Sequence, residues 1–179
     1  IYICSPNNPT GAVASKEQLQ QLVSFAKKNK SIIIFDAAYA AFIQSPQYPK
    51  SIYEIEGADQ VAIEVGSFSK LAGFTGVRLG WSVVPRTLRF EEGSSVKELW
   101  HRYLKTVFNG ASNIAQQGGI ACLEESGFSY LQKTIHYYLE NARYLNKSVN
   151  KKFKVFNGTN APFLWVYCGE KDSWDYFDL

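Results

Sequence analysis

The sequence predicts an α/β fold, with a mostly parallel sheet carrying helices on both faces and then the start of a smaller α+β unit. Three observations predict it. Short apolar, β-branched runs at Ile1–Cys4, Ser31–Phe35 and Val61–Val65 read as buried strands. A segment of helical period lies between the first two. The connections are short, giving the βαβ…β order of a parallel sheet. Ligands in such sheets gather beyond the carboxyl ends of the strands. The three clusters of chemically capable residues, after Cys4, Phe35 and Val65, stand at three such ends.

The first strand candidate, Ile1–Cys4, runs into Ser5-Pro6-Asn7-Asn8-Pro9-Thr10-Gly11, a loop dense in turn residues. Two prolines around two asparagines make a stiff loop that can hold an amide still; a plain connecting turn is the simpler alternative. Ser15-Lys16-Glu17-Gln18 reads as a capping box. Leu19, Leu22, Val23 and Ala26 follow at helical spacing, and Lys27, Lys28 and Lys30 place cations at the negative end of that helix.

The second strand ends on Asp36, followed by Ala37-Ala38-Tyr39. A carboxylate at the end of a buried strand is costly unless a cation or donor meets it. A helix N-cap would explain it; so would pairing with a protonated ring nitrogen, with Tyr39 reaching the same ring.

After the third strand comes Ser67-Phe68-Ser69-Lys70-Leu71-Ala72-Gly73-Phe74-Thr75-Gly76-Val77-Arg78-Leu79-Gly80-Trp81. Small residues beside a lysine let a ligand approach the backbone. A lysine in a pocket can lose its proton and attack a carbonyl. Arg78, eight residues on, can grip a phosphate through two parallel hydrogen bonds. Lysine for an aldehyde with serine and arginine for a phosphate is the set that pyridoxal 5'-phosphate requires. A basic surface loop is the alternative.

Further on, Ser82–Pro85 reads as a strand ending at proline. Ser94–Val107, Ile114–Leu123 and Tyr130–Val149 read as helices. His101 and His136 lie on them and read as surface and packing residues. Gly110, Gly118 and Gly119 suit close approach of a helix or a second subunit. Lys154–Phe156 and Phe163–Tyr167 form a second, small β unit.

Composition narrows the classes. Apolar content is 46%, charged content 20% and net charge +3, with the cations scattered, so nothing points to nucleic acid. The three cysteines are far apart and odd in number, which argues against a disulfide framework and against a metal site. No apolar run approaches transmembrane length. The 179 residues open inside a strand, contain no methionine, and close on Ser173–Leu179, which starts like a capped helix. We therefore expect an internal piece of a longer protein.

Taken together, Ser5–Gly11, Asp36-Ala37-Ala38-Tyr39 and Ser67-Phe68-Ser69-Lys70 with Arg78 resemble the ordered motif set of the class I/II aminotransferases of fold type I. Gly73–Trp81 and Phe108-Asn109-Gly110-Ala111-Ser112-Asn113 resemble, more narrowly, the branch that acts on LL-diaminopimelate. The resemblance runs through nearly the whole chain. It implies that Lys70 carries pyridoxal 5'-phosphate and shuttles the substrate's α-proton. It implies that Asp36 pairs with the ring nitrogen and that Tyr39 and Asn8 meet the ring's 3-oxygen. Ser67, Ser69 and Arg78 would hold the phosphate, and Asn109 would sit near substrate and cofactor, contributed across a dimer interface.

The implied reaction is transamination between LL-diaminopimelate and 2-oxoglutarate in lysine biosynthesis, by a cytoplasmic or plastid-stromal homodimer. Its partners are small amino and 2-oxo acids, with no nucleic acid and no membrane. Other aminotransferases, a carbon–sulfur lyase and a non-catalytic cofactor-binding regulatory domain share these motifs. Residues 1–135 would belong to the large cofactor-binding domain, and 136–179 to a connecting helix and the start of the small domain. The family's Gly-rich phosphate loop with its stacking aromatic, and its carboxyl-terminal substrate-binding arginine, have no counterpart here, so the piece alone is expected to be inactive.

Overall fold

The computed structural model describes residues 1–177. Strands β1 (Tyr2–Cys4), β2 (Ile33–Asp36), β3 (Ala62–Ser67) and β4 (Gly80–Val83) form one sheet in that spatial order. The first three are parallel and β4 runs antiparallel to β3. Cys4 pairs with Asp36, and Asp36 with Val65, so β1 and β2 end level and β3 ends two residues further on, at the same end of the sheet. Ser5, Ala37 and Phe68 therefore leave the sheet at one edge, as the short loops predict.

Helix α1 (Lys16–Lys28) closes the first crossover. Its capping box forms as read: Ser15 Oγ accepts from the Gln18 backbone N–H, and the Gln18 side chain accepts from the Ser15 N–H. Leu19, Val23 and Ala26 then face Ile33, Phe35 and Ala62, all at or below 1% exposure. Burying side chains of this size contributes roughly 1.5–3 kcal/mol each, so this layer outweighs the fraction of a kcal/mol that one helix-end charge supplies.

The opposite face is covered differently from the expectation for a strand buried on both sides. Helix α3 (Val96–Tyr103) contributes Val96 to a cluster with Val84 and Leu88, against which Ile32, Ile63 and Trp100 pack, yet Ile34 remains 40% exposed. That open face carries Tyr2, Cys4, Ile34 and Asp36, because side chains alternate along a strand and paired residues share a side.

Gly66 has a packing reason. A Cβ there would lie 2.2 Å from the Trp81 ring, which rests on the glycine across the β3–β4 pair and meets Phe68 edge-on at 5.3 Å. Gly66→Ala is expected to destabilise the full-length protein. Overpacking costs about 1–3 kcal/mol, more than the roughly 0.4–1 kcal/mol gained by restricting the unfolded chain. An unchanged Tm in thermal denaturation would contradict this contact.

Buried Glu64 anchors the segment between β2 and β3. Its Oε2 accepts from the Ser51 hydroxyl at 2.6 Å and the Ile52 N–H at 3.0 Å. Beyond the sheet, α4 (Asn113–Leu123) lies against the segment after β3. Gly118 faces Phe74, where a Cβ would be tight at 3.3 Å, and Gly119 faces Leu79 and Phe68, where a Cβ would lie 2.5 Å from Leu79 and force it to shift. Gly110, by contrast, has open space around it and a φ of 101°, so a turn rather than a close approach explains it.

Helix α5 (Glu125–Val149) starts five residues before the periodicity suggested and runs unbroken through residue 135. Ile135 and Leu139 bury against Tyr39 and Phe42. Strands β5 (Lys154–Phe156) and β6 (Trp165–Tyr167) pair antiparallel, and α6 (Ser173–Phe177) follows. The segment between β5 and β6 is tied to the first half of the chain. Asn157 donates to the Thr10 carbonyl at 2.5 Å, Asn160 Oδ1 accepts from the Gln44 and Ser45 N–H groups, and Phe163 meets Tyr39 edge-on at 5.1 Å.

Candidate active site

The loop after β1 divides its two asparagines between two tasks. Asn7 holds the loop together: its Oδ1 accepts from the Thr10 hydroxyl at 2.8 Å, its N–H donates to Ala12 and its carbonyl accepts from Gly11. Asn8 is exposed, and among the described residues its amide has no hydrogen-bond partner. Ser5, buried, accepts from the Ala14 N–H at 3.0 Å and fixes the loop to the start of the crossover. A stiff loop presenting one amide is what its composition predicts, and Asn8 is that amide.

Asp36 closes β2 and is met by two donors. The Ala38 N–H donates to Oδ1 at 3.0 Å and the Tyr2 hydroxyl donates to Oδ2 at 2.5 Å. Asp36 thus closes a tight turn on its own chain but is not a helix N-cap: the turn that follows, Ala40–Phe42, is preceded by Tyr39 and has no side-chain cap. The residue as a whole lines a cavity. Tyr39 is buried at 8% exposure and directs its ring toward Lys70, whose Nζ stands 6.0 Å from the ring centroid.

Tyr2, Cys4, Asn7, Asn8, Asp36, Tyr39 and Lys70 line one cavity of about 550 Å³ at the carboxyl ends of the strands. A second, of about 630 Å³, lies beyond Tyr39 and Lys70 and is walled by Ser69, Thr75, Tyr138 and Phe163. Lys70 and Tyr39 border both. Burial pushes the Cys4 thiol up, and the nearby Asp36 carboxylate adds to this. The hydrogen bond to Asp36, with smaller help from burial and the carboxylate's charge, pushes the Tyr2 phenol up to about 12.

Lys70 is carried on α2 (Phe68–Leu71), a single turn capped by Ser67, whose Oγ accepts from the Ser69 N–H at 3.0 Å. Phe68 seats that turn against Trp81 and Phe74. Arg78 stands at the end of the same loop with φ 66°, and its Nη1 donates to the Thr75 carbonyl at 2.6 Å. The exposed guanidinium is turned back on its own loop and borders neither cavity.

Asn109 is not brought to this site. It ends the π-helical turn Leu104–Phe108 in a left-handed conformation, φ 61°, and borders a separate depression with His101, Lys105 and Gly110. Its local job explains its residue type, since asparagine tolerates that backbone region better than most. Of the histidines, His101 is exposed and His136 approaches Glu140 at 3.3 Å on the surface of α5.

Sequence reasoning missed Tyr2. The signal that could have found it is the strand period: Tyr2 shares a face with Cys4, the residue next to the loop.

The donor set around the first cavity fits pyridoxal 5'-phosphate on chemical grounds. A carboxylate suits a ring N–H, a phenol and an amide suit a ring oxygen, and a primary amine suits an aldehyde. Ser67, Ser69 and Arg78 share one loop with that amine, which suits a phosphate.

Comparison with known proteins is consistent with that chemistry. Residues 1–176 match the family model described as aminotransferase class I and II. Over its whole length the chain is 58% identical to LL-diaminopimelate aminotransferase of Protochlamydia amoebophila (strain UWE25), covering 44% of that protein. It is 51% identical to the chloroplastic LL-diaminopimelate aminotransferase of Arabidopsis thaliana over 99% of the chain and 38% of that relative. Its fold matches the solved L,L-diaminopimelate aminotransferase of Chlamydomonas reinhardtii with a TM-score of 0.95 at 54% identity, over 99% of this chain and 44% of that one. The chain thus spans less than half the length of each relative.

Proposed function

This chain belongs to the class I and II aminotransferases, and we propose that its full-length protein moves an amino group between LL-diaminopimelate and 2-oxoglutarate, using pyridoxal 5'-phosphate. One observation carries the reading: Asn8, Asp36, Tyr39 and Lys70, from three separate strand ends, converge on a single cavity. The substrate is supported by the relatives at 58% and 51% identity that bear its name.

When bound, the cofactor draws electron density from the substrate's α-carbon and so acidifies its proton. Asp36 would hold a proton on the ring nitrogen and keep the ring electron-poor. Tyr39 and Asn8 would hydrogen-bond the ring's 3-oxygen. Lys70 would hold the cofactor through its Nζ and would move the substrate's α-proton as a general base. Ser67, Ser69 and Arg78 would hold the phosphate, Arg78 giving up its bond to the Thr75 carbonyl to do so. Fixing both ends of the ring limits the geometries Lys70 must sample.

Asn109 acts, in this reading, on the cavity of a second copy of the chain, where its amide meets the distal polar end of the seven-carbon substrate. The test is kcat/KM of the full-length protein for LL-diaminopimelate against aspartate, tyrosine and kynurenine. A preference of at least about 100-fold is expected, because buried polar contacts left unpaired penalise the wrong substrate heavily. A preference for any of the other three would move the protein to another branch of the family. Asn109→Gly, which keeps the left-handed backbone and removes only the amide, is expected to lower kcat/KM for LL-diaminopimelate more than for glutamate; equal losses would leave Asn109 a loop residue.

A further inference from the structure

We infer that Tyr2 is a positioning residue for Asp36, its hydroxyl fixing the carboxylate that meets the cofactor's ring nitrogen; this rests on the cofactor reading above. Tyr2 and Asp36 lie on adjacent parallel strands and on one face of the sheet. Tyr2 pairs with Ile34, so Asp36 stands two residues further along, about 6.6 Å at strand spacing. A long side chain lying along the strand direction can bridge that gap, and the phenol does so, donating to Oδ2 at 2.5 Å.

The geometry assigns the hydroxyl to Asp36 and not to packing. The Tyr2 residue is 66% exposed, and among the described residues Asp36 is the only hydrogen-bond partner of its hydroxyl. A tyrosine phenol is protonated at neutral pH, and the bond to Asp36 pushes it further up, to about 12, so it stays a donor.

Asp36 needs such a partner. Ala38 holds Oδ1 alone at 3.0 Å, and a half-exposed carboxylate held at one oxygen can still swing. With both oxygens held, its plane is set. An ionised carboxylate has about four acceptor positions, so two remain for a donor in the cavity that both residues line. Sites that must hold a reacting group within about 0.5 Å depend on supporting contacts of this kind.

The experiment uses full-length apoprotein and pyridoxamine 5'-phosphate, which has an amine in place of the aldehyde and so does not condense with Lys70. Its affinity is measured for the unsubstituted protein, Tyr2→Phe, Asp36→Asn and the double variant. Tyr2→Phe keeps the ring and removes only the hydroxyl. The expected loss is about tenfold in affinity when Asp36 is present, the scale of a hydrogen bond to a charged group. In the Asp36→Asn background the same change should cost less than about twofold, since coupled residues are non-additive. An equal loss in both backgrounds, or no loss with Asp36 present, overturns the inference and leaves the proposed function standing. Failure of the unsubstituted protein to bind pyridoxamine 5'-phosphate overturns the proposed function, and the inference with it.

Discussion

Lys70→Ala, made in the full-length protein, is expected to lose the visible absorption band of the bound cofactor and to lower kcat by a factor on the order of 10⁴ or more. The size follows from the two tasks one amine performs. In the proposed mechanism it would hold the cofactor and would move the α-proton. Among the described residues it is the one lysine bordering either cavity, so no neighbour can replace it. The fold should tolerate the change. Lys70 is exposed, and the turn that carries it is held by Phe68 and by the Ser67 cap rather than by the lysine itself. Far-UV circular dichroism should therefore match the unsubstituted protein. Arginine is the informative second variant: it restores the charge and length without an amine that deprotonates near neutral pH, so it should not recover turnover. A Lys70→Ala protein that keeps both the visible band and its turnover would remove Lys70 from the mechanism.

What the sequence made legible depended on distance along the chain. The capping box at Ser15 and Gln18 is a four-residue device, and it formed as read. The common end of the three strands followed from the order of three apolar runs, and it brought Asn8, Asp36, Tyr39 and Lys70 to one cavity. Contacts between remote residues left no local trace. The bond from Asn157 to Thr10 spans 147 positions, and neither residue's neighbourhood predicts it. Glu64 is one polar residue within the apolar run Val61–Val65, and its partners Ser51 and Ile52 are visible only in the folded chain. Tyr2 required the β1–β2 register before its hydroxyl could be placed beside Asp36. Helix α5 was read short because Ser126 and Gly127 weaken the helical signal in its first turn, where tertiary packing overrides propensity. Arg78 and Asn109 show the opposite limit. Their motifs were evident, yet one turns back on its own loop and the other stands outside the cavity.

Asp36→Asn is expected to lower kcat by about 10²–10³, or roughly 2.7–4 kcal/mol, the scale of removing one preorganised electrostatic group. The substitution is nearly isosteric and leaves much of the local structure in place. The Asn side-chain oxygen can still accept from the Ala38 N–H, while the charge-assisted bond to the Tyr2 hydroxyl is lost. The charge itself is lost as well. A neutral amide does not hold a proton on the ring nitrogen, so the ring draws less density from the α-carbon and the proton that Lys70 must remove becomes less acidic. Ground-state binding suffers less than turnover, because the phosphate contacts and the Lys70 anchor remain. The measurement is therefore the pair of quantities: cofactor affinity by equilibrium dialysis, and kcat at saturating cofactor. A fall in affinity with kcat within about threefold, a difference under ~1 kcal/mol, would make Asp36 a binding group only. Asp36→Glu separates charge from placement. It keeps the carboxylate but advances it by one methylene, away from the position set by Tyr2 and Ala38. Partial recovery of kcat in Asp36→Glu, above Asp36→Asn and below the unsubstituted protein, is the outcome that the two-donor cradle predicts.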